Sequence, residues 1–349
     1  MFGDRPANER GQLLVITALV LAVVLVGLAL VLNSAIYTEN LSTRESTDSI
    51  GATTAIGMGQ AEIERTISHV NRYNNASESE VNRAFDDTVS NISSHTTDEY
   101  AKRGTSYRFE VTDRTNGTHL KHTNSSRSFV AGDSNSGQGN WTLARDIPKL
   151  RGYTIATQRG FLREGSESNF GTLVNQTFRI RFQGEDAGGN SVVWEVYIYH
   201  ESSDDNVTIF GGQEAEIDGA SGFGDLTKDS CSVDVATDTE EVVVDITNNT
   251  VNGDDCEALS FGEVLDSAID IRYENADDDG SVSRSGGTYK LAIGTTSYEE
   301  DNFYDTGYDQ SPYATDIIYS ARIESHYSRD DITHSRVARV HPESEGYTS

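Results

Sequence analysis

Leu13 to Leu32 reads LLVITALVLAVVLVGLALVL, twenty residues without a charge and with only Thr17 and Gly27 interrupting the apolar run. At about 1.5 Å per residue a helix of that length spans about 30 Å, the hydrocarbon thickness of a bilayer. A secretory signal peptide has an apolar core of only ~7–15 residues and a small-x-small cleavage site. This run is longer, and Asn33-Ser34-Ala35 is a poor site. A helix packed in a soluble core would keep a polar face, and this one has none. The stretch therefore predicts a single transmembrane helix over residues 13–36, preceded by a short cytoplasmic leader over 1–12.

The flanks give an orientation. Arg5 and Arg10 precede the span, while Glu39, Arg44, Glu45 and Asp48 open the far side. Lys and Arg near the ends favour the cytoplasmic side, which puts the N-terminus inside and the rest of the chain outside the cell membrane. Two features fit an extracellular location. Asn-x-Ser/Thr sequons occur at Asn40, Asn75, Asn91, Asn116, Asn124, Asn140, Asn175, Asn206 and Asn248, all candidates for N-glycosylation. Cys231 and Cys256 are the only cysteines, and an oxidising compartment would join them.

Beyond the membrane the apolar period stays helical. Ile56, Ile63, Ile67 and Val70 share one face, as do Val81, Phe85, Val89 and Ile92. Asn74-Asn75-Ala76 breaks the pattern, and Ser77-Glu78-Ser79-Glu80 has the form of a capping box. Residues 37–104 thus read as a helical stalk in two parts, divided after Tyr73. From about residue 105 the period becomes two. Tyr107 to Val111, Phe178 to Phe182, Trp194 to Tyr199, Glu241 to Ile246, Ile269 to Tyr273 and Tyr289 to Ile293 all alternate. The expected fold is α+β: the transmembrane helix, its helical stalk, then an antiparallel β sheet or sandwich. No strand–helix alternation of a nucleotide-binding fold follows residue 105.

Charge divides the chain unevenly. The 349 residues hold 56 acidic and 27 basic side chains, a net charge of −29, and the basic set contains only five Lys. Residues 201–310 carry 28 acidic against 4 basic side chains. That step suggests a β domain over 105–200, an acidic β subdomain or insertion over 201–310, and a C-terminal β hairpin over 311–349. So acidic a chain does not bind nucleic acid through bulk charge, which needs clustered Lys and Arg. A dense carboxylate surface poor in Lys is the pattern of proteins that work in concentrated salt, where screening removes the repulsion.

Chemistry is sparse. Asn275, Asp277 and Asp279, followed by Gly280, match the first half of a calcium loop, but Gly286 stands where the bidentate Glu belongs. Calcium is the one cofactor the residues allow, but between two strand-like runs Asp-Gly is an ordinary hairpin turn, which is the favoured reading. His119 and His122 lack a third ligand and read as exposed loop residues. No G-x-S-x-G elbow, H-E-x-x-H or phosphate-cradling loop is present, so the chain reads as non-enzymatic with no evident small-molecule substrate.

The junction Glu9-Arg10-Gly11-Gln12-Leu13-Leu14 resembles the processing site of archaeal type IV pilin-like precursors, in which a charged leader ends in a basic residue and Gly before the apolar helix. The resemblance implies a cut after Gly11, leaving Gln12 as the mature N-terminus. The wider run RGQLLVITALVLAVVLVGLALVLNSAIYTENLSTR is similar to that of an uncharacterised group of haloarchaeal single-pass membrane proteins. Ile16 departs from the Glu that many pilins carry five residues into the mature helix. Two functions remain open. One is a pilin-like or minor-pilin surface subunit whose partners are similar subunits or envelope components. The other is a single-pass binding or adhesion ectodomain that does not assemble into filaments.

Overall fold

The computed structural model describes residues 8–165, 169–202, 204–220, 222, 229–277, 285–304, 310–329, 332–342 and 345–348; the side chains of 8–15, 35–49, 229 and 345–348 are outside that description. Helix α1 (Asn8–Tyr73) is continuous for 66 residues, so the apolar span runs directly into the stalk. Helix α2 (Glu78–Ala101) follows a four-residue break. Ser77 caps it: its hydroxyl accepts from the Glu80 backbone N–H at 3.3 Å, as the Ser-x-x-Glu spacing requires. The stripe Ile63, Ile67 and Val70 is fully buried, as are Val81 and Phe85 on α2. These positions were legible because 3.6-residue periodicity records which face is covered.

Among the described residues sixteen strands follow. The first eight are β1 (Ser106–His122), β2 (Trp141–Ile147), β3 (Lys149–Gln158), β4 (Glu164–Gly165), β5 (Arg179–Glu185), β6 (Ser191–Glu201), β7 (Asn206–Gln213) and β8 (Asp229–Asp234). The rest are β9 (Glu241–Asp245), β10 (Thr250–Val251), β11 (Asp254–Asp255), β12 (Ile269–Glu274), β13 (Thr288–Ile293), β14 (Tyr313–Arg329), β15 (Ile332–Val340) and β16 (Glu345–Thr348). Two short helices, α3 (Phe170–Gln176) and α4 (Glu214–Gly219), interrupt them. The first sheet has the order β11-β10-β9-β3-β13-β1-β14-β15, with β16 also on β3. The second has the order β2-β12-β5-β6-β7-β8, with β4 parallel to β6.

By its contacts the chain divides into two units, Met1–Gly59 with His95–Phe109 and Ser325–Arg336, and Gln60–Ser94 with Glu110–Glu324 and Val337–Ser349. In the first unit, Ala52, Ala55 and Ile56 are buried, and the Tyr100 and Tyr107 rings meet at 4.9 Å. Gly59 permits a close approach there, because a Cβ on it would lie 2.2 Å from the Tyr107 hydroxyl. In the second unit the two sheets face one another across a common core that includes Leu120, Ile155 and Leu291 from one and Phe182, Val196 and Ile271 from the other. The hydroxyls of Tyr153 on β3 and Tyr273 on β12 meet across the layers at 2.8 Å. The stalk helices of this unit dock on the first sheet, where Asn71 donates to the Ile318 carbonyl at 3.0 Å and accepts from the Ile318 N–H at 2.8 Å. Arg114 of β1 pairs with Asp86 of α2 at 2.5 Å.

Among the described residues, those of the acidic stretch 201–310, expected as a β subdomain or insertion, contribute strands to both sheets. They place β7, β8 and β12 in the second sheet and β9, β10, β11 and β13 in the first. Strand β13 lies between β3 and β1, and β12 between β2 and β5. The reason is periodicity within the acidic stretch: Val242, Val244, Ile269, Ile271 and Leu291 keep the inward positions apolar, while the carboxylates take the outward ones. The C-terminal segment also exceeds a hairpin, since β16 returns to pair with β3 beyond β14 and β15.

Candidate functional site

The apolar stretch Ile16–Ser34 is entirely exposed on α1, with none of it buried by the rest of the chain. Leu19, Val23, Leu30 and Val31 each present well over half of their surface. A contiguous apolar helix surface of this size is covered by lipid or by partner helices, not by water. Arg10, Gly11 and Gln12 fall in the first two turns of the same helix.

The second concentration of chemistry lies on the outward face of the second sheet. Strand β5 alternates Ile180 and Phe182 inward with Arg179, Arg181 and Gln183 outward, and the neighbouring strands bring carboxylates to meet them. Arg179 Nε donates to Glu274 Oε2 at 2.8 Å, and Arg181 Nη1 donates to Glu274 Oε1 at 2.9 Å. Arg181 also donates to Glu214 at the start of α4, and Arg272 Nε stands 3.2 Å from Glu274. Glu195 on β6 is 1% exposed, accepts from the Tyr197 hydroxyl, and stands 3.2 Å from Arg181 Nε and 3.5 Å from Arg179 Nε. Three guanidinium groups and three carboxylates thus form a balanced lattice.

The carboxylates of the lattice are not equivalent. Burial raises the Glu195 carboxyl, against the pull of Arg179, Tyr197 and Arg181. Burial would also raise Glu274, but the hydrogen bonds from Arg179 and Arg181 outweigh it and hold that carboxyl below its ordinary value. An open cleft of about 340 Å³ adjoins the lattice, lined by Arg181, Gln183, Ser191, Val192, Val193, Gln213, Glu214 and Ala215. Its size suits a small ligand, and its donors are amides, a hydroxyl and a guanidinium. Ser191 has no imidazole or thiol among the cleft residues to activate it. The signal for this lattice was present in the sequence as Arg at alternate positions of one run and Glu in another. Only strand order shows that they meet.

The residues picked out by sequence fare differently. Cys231 and Cys256 form a disulfide with a Cα–Cα distance of 5.6 Å, tying edge strand β8 of the second sheet to the segment after edge strand β11 of the first. Asn275 sits at φ 53° and donates to the carbonyls of Asn175 at 3.2 Å and Thr177 at 3.0 Å, so its side chain ties the end of β12 to the segment between α3 and β5. Asp277 packs against Gly139, and Asp279 lies outside the described residues. Among the described residues no three His, Cys, Asp or Glu side chains group as metal ligands. His119 and His122 are not exposed loop residues. Both are on β1, where His122 is fully buried and stacks on Tyr289 at 5.4 Å. Of the sequons, Asn91, Asn124, Asn140, Asn175 and Asn248 are exposed, and Asn75, Asn116 and Asn206 are half-buried. Asn116 donates to Glu78 at 2.6 Å, and the side chain of Asn40 lies outside the description.

Residues 7–137 match the model of DUF7261, a family of unknown function. The matched segment takes in the apolar helix, α2 and β1, and leaves most of the two-sheet unit outside it. No curated protein and no solved structure matches the chain.

Proposed function

We propose that the chain is a non-enzymatic, membrane-anchored surface protein of pilin-like type, held by its N-terminal helix with the β sandwich outside the cell. The observation that carries this reading is the wholly exposed apolar stretch Ile16–Ser34, on a helix that continues into a stalk and a disulfide-bonded β unit. The disulfide favours an oxidising compartment and so an external sandwich. The exposed sequons fit N-glycosylation there, and the acidic surface fits concentrated salt. Arg10-Gly11 supplies the processing site, and helix packing in the membrane would rest on close contacts at small residues such as Ala18 and Ala22.

A second reading, a binding or adhesion ectodomain on a plain anchor, is favoured by the cleft of about 340 Å³ beside the ionic lattice. Processing separates the two. In protein extracted from native membranes, intact mass and N-terminal sequencing should find a chain beginning at Gln12, along with detergent-resistant polymers. A chain that retains Met1, or lacks only Met1, and runs as a monomer would sink the pilin-like reading and leave the anchored ectodomain.

A further inference from the structure

Polar groups with no internal partner converge in the cleft beside the ionic lattice. Its floor is the outward face of β5 and β6, where Gln183 and Val193 stand directly opposite one another and Ser191 lies two residues before Val193. Gln213, at the end of β7, and Glu214, at the start of α4, form its wall. Gln183 and Ser191 are exposed, and Gln213 is half-buried. Among the described residues, the carboxamides of Gln183 and Gln213 and the hydroxyl of Ser191 make no hydrogen bond. Arg181 is the opposite case. Its Nη1 donates to Glu274, its Nη2 donates to Glu214, and its Nε stands 3.2 Å from Glu195, so each nitrogen faces a carboxylate.

The two charges in the lining, Arg181 and Glu214, therefore cancel each other. A charged ligand must break that pair and leave one partner uncompensated. What the cleft offers instead is two carboxamides and a hydroxyl, each both donor and acceptor, the second oxygen of Glu214, and the apolar surface of Val193. We propose that the cleft binds a neutral sugar ring. Sugar hydroxyls are themselves donors and acceptors and pair with the carboxamides, while the C–H face of the ring covers Val193. A volume of about 340 Å³ is at the small end of the range of about 300–1,000 Å³ for ligand sites, which suits one ring with its substituents. The lattice holds Arg181, and through it Glu214, before any ligand arrives, so binding orders little. The proposal rests on the binding reading of this cleft and is independent of whether the leader is cut.

The test is saturation-transfer NMR on the full chain in a zwitterionic detergent that carries no sugar. The probes are methyl glucoside, methyl galactoside, methyl mannoside and N-acetylglucosamine, with glucosamine and glucuronate as the cationic and anionic counterparts. At least one neutral ring should give a saturable signal, with the same affinity at about 0.1 and 2 M sodium chloride because no ligand charge is there to screen. Gln183→Ala and Gln213→Ala lie outside the core and should each weaken that affinity about threefold to tenfold, the net value of one hydrogen bond. No saturable signal from any of the four neutral rings would overturn the proposal, and so would an affinity untouched by both substitutions. Glucosamine or glucuronate binding at least about tenfold tighter than every neutral ring, and weakening with salt, would overturn the neutral ligand while leaving the cleft a binding site. The N-terminal sequence decides the pilin-like reading separately.

Discussion

At the scale of single residues, His122 is the clearest case of a side chain whose environment contradicts its usual role. It is buried between Phe129 and Tyr289, with Nε2 3.0 Å from the Asn124 carbonyl oxygen. Burial is the largest influence and lowers its pKa from 6.5 to about 4. The native state therefore resists a proton that the unfolded chain accepts. The stability this group contributes is fully present above pH 6.5 and is lost as pH falls toward 4, a total of about 3 kcal/mol. His122→Phe keeps the aromatic packing and removes the titration. The difference in unfolding free energy between native chain and variant, measured by denaturant titration from pH 7.5 to 4, should shrink in that sense by about 3 kcal/mol. A constant difference would show that His122 titrates normally. Nothing in Leu120-Lys121-His122 foretold this. His119 and His122 look like a pair in the sequence, whereas in a strand their odd spacing sends them to opposite faces.

At the scale of elements, the legible features were those with a period. The helical stripe through Val70 and the capping box at Ser77 needed no partner to be read, and neither did the alternation in Phe178 to Phe182. Which strands meet was not legible, because strand order depends on contacts distant in sequence. The ionic lattice shows the consequence, since Arg179 and Glu274 are 95 residues apart. Close approaches were hidden for the same reason. Gly211 on β7 sits against the turn after the disulfide, where an added Cβ would lie 1.9 Å from the Ala258 carbonyl oxygen. At Gly212 a Cβ would make an ordinary contact with Ile217 at 3.6 Å. Gly211→Ala should lower stability by about 1–3 kcal/mol through displaced backbone, while Gly212→Ala should cost well under about 1 kcal/mol. Thermal unfolding of the two variants side by side checks this. Equal midpoints would mean that the chain around Ala258 yields easily.

At the scale of the whole molecule, the uneven charge bears on stability. The described part of residues 201–310 runs through both sheets, so the repulsion among its acidic side chains acts on the two-sheet unit as a whole. Salt has two opposed effects on such a surface. It screens that repulsion, reducing the Debye length from about 10 Å at 0.1 M to about 3 Å at 1 M. It also weakens exposed ion pairs, such as those of Arg159 with Asp205 and Asp238. Exposed pairs contribute only about 0–1 kcal/mol each, and the lattice around Glu195 and Glu274 is too buried to be screened strongly. Repulsion across a net charge of −29 is the larger effect, so stability should rise with salt. The midpoint of thermal unfolding should climb steadily between about 0.1 and 2 M sodium chloride. Sucrose, which strengthens burial without screening charge, provides the control and should raise the midpoint less. A midpoint that falls with added chloride would mean that local ion pairs, not net charge, dominate the acidic surface.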